Sequence, residues 1–265
     1  MNQNPLTLYQ RLLQRTLMKV RPASLTDRLK RLLGVRRLPV ETDQGRFHVD
    51  PVSLFGMELT GAGSFEPEMR ATLEKFLGPG KTFVDLGANE GYFTVIGARC
   101  CAPGGRVVAV EPQTRLLPVI EENLRLNGSA NVRLVNAAIT DQRGTGRIHL
   151  TASTNSGGSS MHNACRYELP TQAVELLTLA DLLDREGLDQ VDMMKVDIEG
   201  HEYEAMLGSV EVFRTHRVRS MAMEFHPEMM AARGKSCDDI QVMLADCGYE
   251  ITKPFGHWVW TAPDA

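Results

Sequence analysis

The sequence has no long apolar run. Its 265 residues are 43% hydrophobic and 23% charged, the composition of an ordinary globular protein. None of its apolar stretches approaches the roughly 18 residues of a membrane span. The opening stretch, MNQNPLTLYQRLLQRTLMKV, also lacks the apolar centre of a secretory signal peptide. The sequence therefore predicts a cytoplasmic protein.

Cysteine is scarce, and its spacing suggests no pairing. The five cysteines are an odd number, and none lies in a CxxC pair, so we expect buried free thiols in a reducing compartment. They are Cys100, Cys101, Cys165, Cys237 and Cys247. An excess of basic residues is also absent, because 29 lysines and arginines face 33 acids. The net charge of -4 gives no reason to expect nucleic acid as a partner.

Acids are nearly absent from the first forty residues. Leucines recur at helical spacing in LYQRLLQRTLMKV and LTDRLKRLLGVRRL, with arginine and lysine between them, which predicts basic amphipathic helices. The leucines either pack on the rest of the chain or contact a partner or a membrane surface at the inner face. We expect a basic extension over residues 1–44 and a single domain over residues 45–265, with its oligomeric state open.

Strand and helix patterns alternate along the rest of the chain. RFHVD and MELTG suggest short strands or an irregular lead-in, and SFEPEMRATLEKFL suggests a helix with Pro67 near its first turn. The further strands are predicted in KTFVDLG, RVVAVEP, NVRLVNAAI, GRIHL, QAVELL, VDMMKVDIEG, VRSMAMEFHP, YEITK and HWVWTA. This alternation favours an α/β fold with a mainly parallel sheet covered on both faces.

Two glycines shape the turn DLGANEG that follows the strand KTFVDLG. A dinucleotide-binding turn needs G-x-G-x-x-G, so that the backbone and a helix N-terminus can hold a pyrophosphate. Counted from Gly87, the positions of the second and third glycines are occupied by Asn89 and Tyr92. The other glycine of this turn, Gly91, is at the fifth position from Gly87, where the pattern requires no glycine. The spacing therefore argues against a dinucleotide-binding oxidoreductase.

Acids stand at the ends of the first two strands of this alternation. Asp85 suits a ligand with an ammonium group, and the small residues after it allow close approach to the backbone. Glu111, twenty residues beyond Gly91, can accept hydrogen bonds from both hydroxyls of a ribose. Asn136 and Ala137 at the end of the third strand could border an adenine. These features predict S-adenosylmethionine, which carries a ribose and an amino acid but no phosphate.

The stretch KVDIEGHE is the richest in ionisable groups. Lys195, Asp197 and Glu199 share one face of a strand by its period of two. If Asp197 lies near the carboxyl end of this strand, Glu199 begins the turn and Glu202 enters the helix. Charges in an apolar strand are costly to bury unless they are paired or functional. Either Lys195 pairs with a neighbouring carboxylate, or the two acids face a methyl acceptor and Lys195 orients one of them.

Methyl transfer to a hydroxyl also needs a base near the acceptor. Asp197 and Glu199 are candidates, and MEFHP adds Glu224 and His226 at the end of a neighbouring strand. His226 is either a base with a pKa near the working range or a packed histidine. The same four side chains could hold a divalent ion, but their spacing is not diagnostic, and we predict no metal.

Two further features border this region of the sequence. Glu66 in SFEPEM either reaches the edge of the cofactor or acts as a helix-start acid. The segment STNSGGSSM has many hydroxyls and no periodicity, and it is either a lid over the acceptor or a surface loop.

Taken together, these motifs resemble the FkbM-type methyltransferases. FVDLGANEGYFT, VVAVEPQ, NAAITD, KVDIEGHE and MEFHP occur in that family's order, over about residues 45–249. The resemblance implies a class I, Rossmann-like methyltransferase fold whose seven-stranded sheet has one antiparallel strand near its end. It also implies S-adenosylmethionine as donor. The residues it places around the cofactor are Asp85, Gly87, Ala88, Asn89, Gly91, Tyr92, Glu111, Pro112, Asn136 and Ala137.

The resemblance further implies a hydroxyl acceptor, usually on a sugar or secondary metabolite. We therefore predict an O-methyltransferase of a glycan, glycolipid or glycosylated metabolite. An amine or carboxylate acceptor is the alternative, although DIEGHE stands where nitrogen acceptors often have an Asn/Asp-Pro-Pro-Tyr turn. A scaffold that only binds the cofactor is a further alternative. Glu90 and His201 depart from the family pattern, and we expect His201 beside the acceptor.

Overall fold

The structure is a computed structural model that describes residues 6–20, 23–163, 168–252 and 257–263. In chain order its strands are β1 Leu38–Thr42, β2 Gly45–Val49, β3 Thr82–Leu86, β4 Arg106–Val110, β5 Val132–Val135, β6 Ala138–Ile139, β7 Gly144–His149, β8 Thr171–Leu177, β9 Val191–Val196, β10 Val218–Met223, β11 Glu250–Thr252 and β12 Trp258–Thr261. Its helices are α1 Leu8–Leu17, α2 Ala23–Leu32, α3 Leu54–Ala62, α4 Pro67–Phe76, α5 Tyr92–Cys101, α6 Leu117–Leu126, α7 Leu179–Arg185, α8 Glu202–Leu207, α9 Val210–Arg214, α10 Pro227–Ala231 and α11 Cys237–Asp246.

Within the described residues the central sheet has seven strands in the order β11-β12-β10-β9-β3-β4-β5. Strand β12 runs antiparallel to both of its neighbours, and the other pairings are parallel. This confirms the predicted α/β, class I methyltransferase fold with one antiparallel strand near an edge. The chain leaves β3 toward β4 and β5 on one side and returns to β9 and β10 on the other. The strand order therefore reverses at β3, where ligands bind in such sheets.

Alternate residues of the central strands enter two different apolar cores. Phe83 and Met193 pack in the core beside α3, α4 and α5, whereas Val84 and Met194 pack in the core beside α7, α8 and α11. Because side chains of a strand alternate between its two faces, apolar residues at every position bury both faces of the sheet. The result is the predicted three-layer arrangement, with the carboxyl ends of β3, β4, β9 and β10 at one edge.

The short run MELTG was predicted as a strand, and that prediction is wrong. These residues lie in α3, whose first turn is capped by Ser53 because its hydroxyl accepts a hydrogen bond from the Gly56 amide at 2.9 Å. The alternating pattern of MELTG imitates a strand, but Phe55 and Leu59 are four residues apart and both are buried. The strand predicted in GRIHL is confirmed as β7, which pairs with β8 in a separate three-stranded sheet.

The basic N-terminal region forms two helices, as predicted. Leu17 of α1 is buried, whereas Leu8 and Leu12 on the same helix are exposed, so the prediction that the leucines pack on the domain is wrong for these two. The β1–β2 hairpin crosses the boundary placed between residues 44 and 45, and the division into an extension and a domain stays a prediction.

No helix in the described ranges is both long and apolar enough to cross a bilayer. The cytoplasmic location stays a prediction. Cys101 is a buried free thiol, and Cys100, Cys237 and Cys247 are free and partly buried. The prediction for Cys165 lies outside the described residues.

Candidate active site

The turn after β3 packs directly on the turn after β9. Gly87 has a φ of 80°, and a Cβ placed there would lie 1.9 Å from the carbonyl oxygen of Asp197. The glycine is therefore required by contact between two backbones, in addition to any approach of a ligand. Gly91 begins α5 with a φ of 81° and packs on Ile120, so it serves the helix start rather than a cavity wall.

A cavity of about 610 Å³ lies at the ends of β3, β4 and β9. Its walls combine apolar side chains with a few polar groups, the usual composition of a small-molecule site. The predicted cofactor residues that line it are Gly87, Asn89, Glu111, Pro112 and Ala137. Ile139, Ile148, Met161 and Ile198 supply an apolar surface suited to a flat ring.

Glu111 is held at the wall of this cavity by backbone amides. Its Oε2 accepts a hydrogen bond from the Asn89 amide at 2.8 Å, and its Oε1 accepts one from the Gln113 amide at 2.9 Å. Burial raises the pKa of Glu111, and these hydrogen bonds lower it by a smaller amount. The resulting pKa is about 7. A ligand that donates hydroxyl hydrogens to this carboxylate relieves the cost of its burial. The residue therefore fits the two hydroxyls of a ribose.

Three predicted cofactor residues line neither this cavity nor the second cavity described below. Asn136 donates its side-chain amide to the carbonyls of Glu111 and Pro112, at 2.8 and 3.0 Å, and so braces the turn after β4. Asp85 is fully buried behind the wall, where its Oδ2 accepts a hydrogen bond from Thr94 at 2.6 Å. With Gly91 at the start of α5, these residues shape the site from behind. Their roles toward a cofactor stay predictions.

A second cavity of about 940 Å³ adjoins the first and shares five residues with it. The shared residues are Gly87, Asn89, Gly157, Asp197 and Glu199. The predicted cofactor residues Ala88 and Tyr92 also lie in its wall. The remaining wall is rich in carboxylates, which are supplied by Glu58, Glu66, Glu90 and Glu224. Such a surface suits a polar ligand with many hydrogen-bond donors.

Lys195 is almost completely buried in β9 and pairs with Asp197. Its Nζ lies 3.1 Å from Asp197 Oδ2 and 5.3 Å from the centre of the Phe93 ring. Burial alone lowers the pKa of Lys195, but the charges of Asp197, Asp85 and Glu66 outweigh it and hold the pKa above its ordinary value. The ion pair is thus present, and it also orients Asp197 at the rim of both cavities.

His226 lies at the opposite side of this rim. Its Nε2 is 3.6 Å from Glu199 Oε2 and 3.9 Å from Asp197 Oδ1, and its Nδ1 is 2.9 Å from Glu202 Oε1. Burial lowers its pKa, but the hydrogen bond and charge of Glu202, with the charges of Glu199 and Asp197, raise the pKa to about 9. The expectation of a pKa near the working range is therefore wrong, and at neutral pH the side chain is an imidazolium.

Three residues of the second cavity have backbones in the left-handed region. They are Glu66, Asn89 and Glu199, with φ values of 39°, 49° and 54°. Such conformations are strained for residues with a Cβ and tend to occur at functional sites. Burial, followed by the charge of Asp197, raises the pKa of Glu199 to about 7. Burial also raises the pKa of Glu66 to about 7, and its side chain faces the cavity instead of capping α4.

The segment of residues 151–163 covers both cavities. Ser156 donates a hydrogen bond to the side-chain oxygen of Asn89 at 3.0 Å, and Ser160 donates one to the Glu199 carbonyl at 2.6 Å. The Gln113 side chain donates to the Ser156 carbonyl at 3.1 Å. Residues of this segment thus line both cavities, and its role as a lid over the acceptor stays a prediction.

His201 was expected beside the acceptor, but it lines the first cavity. His201 is buried, and its Nδ1 lies 2.9 Å from Nε2 of His162. Burial, the largest cause, lowers the pKa of His201 to about 4, so the ring is neutral. Glu204, 3.5 Å from His201, is engaged by Arg233. This histidine belongs to the wall near Met161, and its place relative to an acceptor stays a prediction.

Several residues of the cavity walls were not predicted from the sequence. Gln113 stands two positions after Glu111, and its place at the same strand end was a usable signal. Glu58 was hidden because its segment was predicted as a strand. Glu90, noted only as a departure, is buried and receives two hydrogen bonds from Arg37, at 2.6 and 3.0 Å. Arg37 and Glu90 are 53 residues apart in the sequence, so no local pattern predicts that they pair.

Asp197, Glu199 and His226 each offer an atom within 4.8 Å of the others, a spacing that a divalent ion can bridge. A histidine ligates a metal only through a neutral ring, however, and this imidazole has a pKa of about 9. The charges at the rim therefore favour the imidazolium. The absence of a metal stays a prediction.

Comparisons with known proteins find the same family that the sequence motifs indicated. The family model described as the methyltransferase FkbM domain matches residues 85–251. Methyltransferase sdnD of Sordaria araneosa is 28% identical over 212 residues, which cover 68% of this chain and 77% of that protein. The AMB antimetabolite synthetase AmbE of Pseudomonas aeruginosa is 25% identical over 210 residues, which cover 66% of this chain but only 10% of that protein.

Among solved structures, the methyltransferase FkbM from Methylobacillus flagellatus KT is similar at a TM-score of 0.45 and 15% identity, covering 96% of this chain and 76% of that one. The family match spans more than half of the sequence and contains the turns after β3, β4 and β9. The chain belongs to the FkbM family, and it is an S-adenosylmethionine-dependent methyltransferase of the FkbM type.

Proposed function

We propose that the protein transfers the methyl group to a hydroxyl of a sugar, on a glycan, glycolipid or glycosylated metabolite. The observation that carries this proposal is the rim shared by the two cavities, where Asp197, Glu199 and His226 converge. A polar acceptor in the second cavity meets several hydrogen-bond acceptors there. Sugar hydroxyls are donors that satisfy such carboxylates.

The first cavity is the seat of the methyl donor. S-adenosylmethionine supplies an electrophilic methyl group on a sulfonium centre. Glu111 fits its ribose hydroxyls, and the apolar wall that includes Ile139 and Ile198 fits its adenine. The backbone at Gly87 separates the two cavities, so a donor seated on one side presents its reactive end to the other.

Glu199 is the group that takes the proton of the hydroxyl. Its pKa of about 7 lets it be ionised and still accept a proton near neutral pH. Asp197 is engaged by Lys195 at 3.1 Å and is therefore a positioning residue. His226, as an imidazolium 3.6 Å from Glu199, stabilises negative charge at the rim and does not act as the base.

A donor labelled with ¹³C in its methyl group tests the class of acceptor. Matched acceptors that carry only hydroxyls, an added amine or an added carboxylate are incubated with the protein, and the labelled product is assigned by NMR. We expect an O-methyl ether with the sugar acceptors. Labelling confined to nitrogen or carboxylate, or equal release of S-adenosylhomocysteine with no acceptor present, contradicts the proposal.

The role of Glu199 is tested separately with Glu199→Gln. General-base catalysis contributes about a hundredfold or more, so turnover should fall by about that factor while affinity for S-adenosylhomocysteine is kept. In the wild type, kcat/KM should rise with pH through about 7, and the variant should lose this rise. Glu121→Gln, an exposed change on α6, is the control. Full activity of Glu199→Gln would remove the assignment of the base.

A further inference from the structure

The two N-terminal helices are oriented with leucines outward. Leu8 and Leu12 are one turn apart on α1, at 85% and 62% exposure, and Leu25 and Leu32 are two turns apart on α2, at 41% and 81%. The helices of a globular protein normally bury such residues and expose the charged ones. The outward leucines are not explained by packing within the chain.

Besides the buried Leu17 of α1, polar groups supply inward contacts of these helices. Lys30 of α2 is buried, lies 2.5 Å from Asp50 and donates to the carbonyl of Val52 at 3.0 Å. Gln14 of α1 donates to the carbonyl of Pro51 at 2.7 Å. Polar groups thus help to hold each helix, and its exposed leucines remain available for contact with something outside the described residues.

The outward leucines have arginines beside them. Arg11 and Arg15 lie next to Leu8 and Leu12 on the exposed face of α1. On α2, Arg28 stands in the same relation to Leu25, and the exposed Arg31 directly precedes Leu32. We name these side chains the docking face, which consists of Leu8, Arg11, Leu12, Arg15, Leu25, Arg28, Arg31 and Leu32.

The arginines of the docking face carry unneutralised charge. In this region the ion pairs between described residues belong to Lys30 and Arg37, which point inward. The first forty residues contain a single acid, Asp27, whose carboxylate accepts hydrogen bonds from Ser153 at 2.5 and 3.2 Å. A basic face remains on a chain whose net charge is -4, so the charge is segregated.

We propose that the docking face binds the surface of an anionic lipid bilayer. Leucines that alternate with arginines on one face insert their apolar parts at the headgroup boundary while the guanidinium groups meet lipid phosphates. An apolar groove of about 620 Å³ beside α1, lined in part by Tyr9, Leu13, Leu33 and Val35, adds surface suited to an acyl chain. Each arginine near an anionic surface contributes to binding, and the contributions add.

The docking face is attached to the rim of the second cavity. Lys30 and Asp27 of α2 both contact Ser153, and the next residues, Thr154 and Asn155, line that cavity. Leu54, also exposed, belongs to the same wall. Where the proposed function holds, this arrangement favours a glycolipid among the acceptor classes, because binding to a bilayer brings the cavity to the lipid-borne sugar.

Co-sedimentation of the full chain with vesicles tests the docking face independently of catalysis. One set of vesicles is phosphatidylcholine alone, and the other contains about one-third phosphatidylglycerol. We expect pelleting with the anionic vesicles and loss of it at high salt, because salt screens the surface charge. Failure to pellet with anionic vesicles, or equal pelleting with both sets, overturns the proposal.

Two variants separate the apolar and the basic contributions. Leu8→Ser with Leu12→Ser, and Arg15→Glu with Arg28→Glu, should each lower the partition coefficient about tenfold or more. The control is Val242→Ser with Ile251→Ser, which removes exposed apolar side chains elsewhere, at 60% and 42% exposure, and should pellet like the wild type. Unchanged affinity for S-adenosylhomocysteine in every variant verifies the fold.

Size-exclusion chromatography with light scattering examines the competing occupant, a second copy of this chain. A wild-type dimer that becomes monomeric in the leucine variant, together with no vesicle binding, overturns the proposal in favour of self-association. A wild-type mass unaffected by these substitutions, with vesicle binding lost in both variants, supports the bilayer. Acceptor turnover does not enter either measurement, so a failed O-methylation assay leaves this result readable.

Discussion

Nδ1 of His226 lies 2.9 Å from Oε1 of Glu202, a carboxylate that is completely buried. The same oxygen accepts hydrogen bonds from the amides of Ile198 and Gly200, at 3.3 and 3.1 Å. Glu202 therefore organises the turn after β9 from behind and fixes the charge of the histidine on the rim. A single buried acid thus links the geometry of the site to its protonation.

Protonation should make the ligand-free protein more stable at low pH. The pKa of His226 is raised to about 9, and the pKa values of Glu66, Glu111 and Glu199 are raised to about 7. Stability from such groups is fully present below their unfolded pKa values and is lost as the pH rises through the folded ones.

The free energy of unfolding should therefore fall between about pH 4.5 and 7 for the carboxyls and between about pH 6.5 and 9 for the imidazole. The second fall is on the order of 2 to 3 kcal/mol. Urea unfolding across this range measures it, and Glu202→Gln should remove most of the upper step. Higher stability at about pH 9 than at pH 6.5 would contradict these assignments.

Substitution of Glu111 should weaken binding of the cofactor product. Glu111→Ala removes a charged acceptor and leaves the amides of Asn89 and Gln113 without their partner. Hydrogen bonds to charged groups contribute about 1.5 to 3 kcal/mol each, so two ribose hydroxyls correspond to a loss of roughly a hundredfold or more. Titration calorimetry with S-adenosylhomocysteine measures the loss. The exposed Glu121→Ala should bind normally, and equal affinity of the Glu111 variant would refute the ribose contact.

The glycine of the β3 turn should tolerate no side chain. Gly87→Ala combines a positive φ with a Cβ that would lie 1.9 Å from a backbone oxygen, so we expect destabilisation by about 3 kcal/mol or more. Gly128→Ala is the matched control, because its φ is 63° but nothing lies within 4 Å of its Cβ. Its cost should be only about 1 to 2 kcal/mol. Thermal unfolding compares the two, and equal shifts in Tm would show that the contact with Asp197 has no energetic role.

The link between Arg37 and Glu90 should be important for stability. Arg37→Met leaves the Glu90 carboxylate, only 1% exposed, without its partner at a cost of about 3 to 5 kcal/mol. The neighbouring Arg36→Met is exposed and should change the free energy of unfolding by about 0.5 kcal/mol or less. Adding Glu90→Gln to the Arg37 variant should restore part of the loss. No restoration would mean that packing of the arginine, and not its charge, is what matters.

The central sheet could be predicted because its strands are apolar at nearly every position, a pattern that only a sheet buried on both faces explains. The position of Glu111 could be predicted because this residue directly follows β4, and a strand fixes the position of the residue after it. Residues further into a turn do not follow the alternation of the strand, so their positions could not be predicted in this way. The expectation that Glu199 begins the turn if Asp197 lies near the strand's end is met, because β9 ends at Val196, but the φ of 54° that Glu199 takes in this turn was not predicted. Its position near His226 comes from that turn.

Other parts of the site depend on contacts between distant segments. His201 faces the first cavity because it pairs with His162, 39 residues away, and no local pattern encodes that contact. The helix around Glu58 was missed because five alternating residues imitate a strand. In the N-terminal helices the spacing of leucines predicted amphipathic helices correctly, but not which face is inward. That orientation is fixed by Lys30 and its contact with Asp50, a feature outside the helix pattern.

The shared wall of the two cavities predicts the kinetic order of the reaction. Where the first cavity holds the donor and the second the acceptor, as proposed, Gly87, Gly157 and the other shared residues lie between the two substrates. The imidazole at the shared rim, His226, is protonated at neutral pH, and the amine of Lys195 is paired with Asp197, so neither has a lone pair free to carry a methyl group in transit. Both substrates must therefore be bound at once, and initial-rate plots at varied donor and acceptor concentrations should intersect, as in a sequential mechanism. Each turnover then inverts the methyl carbon once, which a chiral methyl group on the donor would reveal.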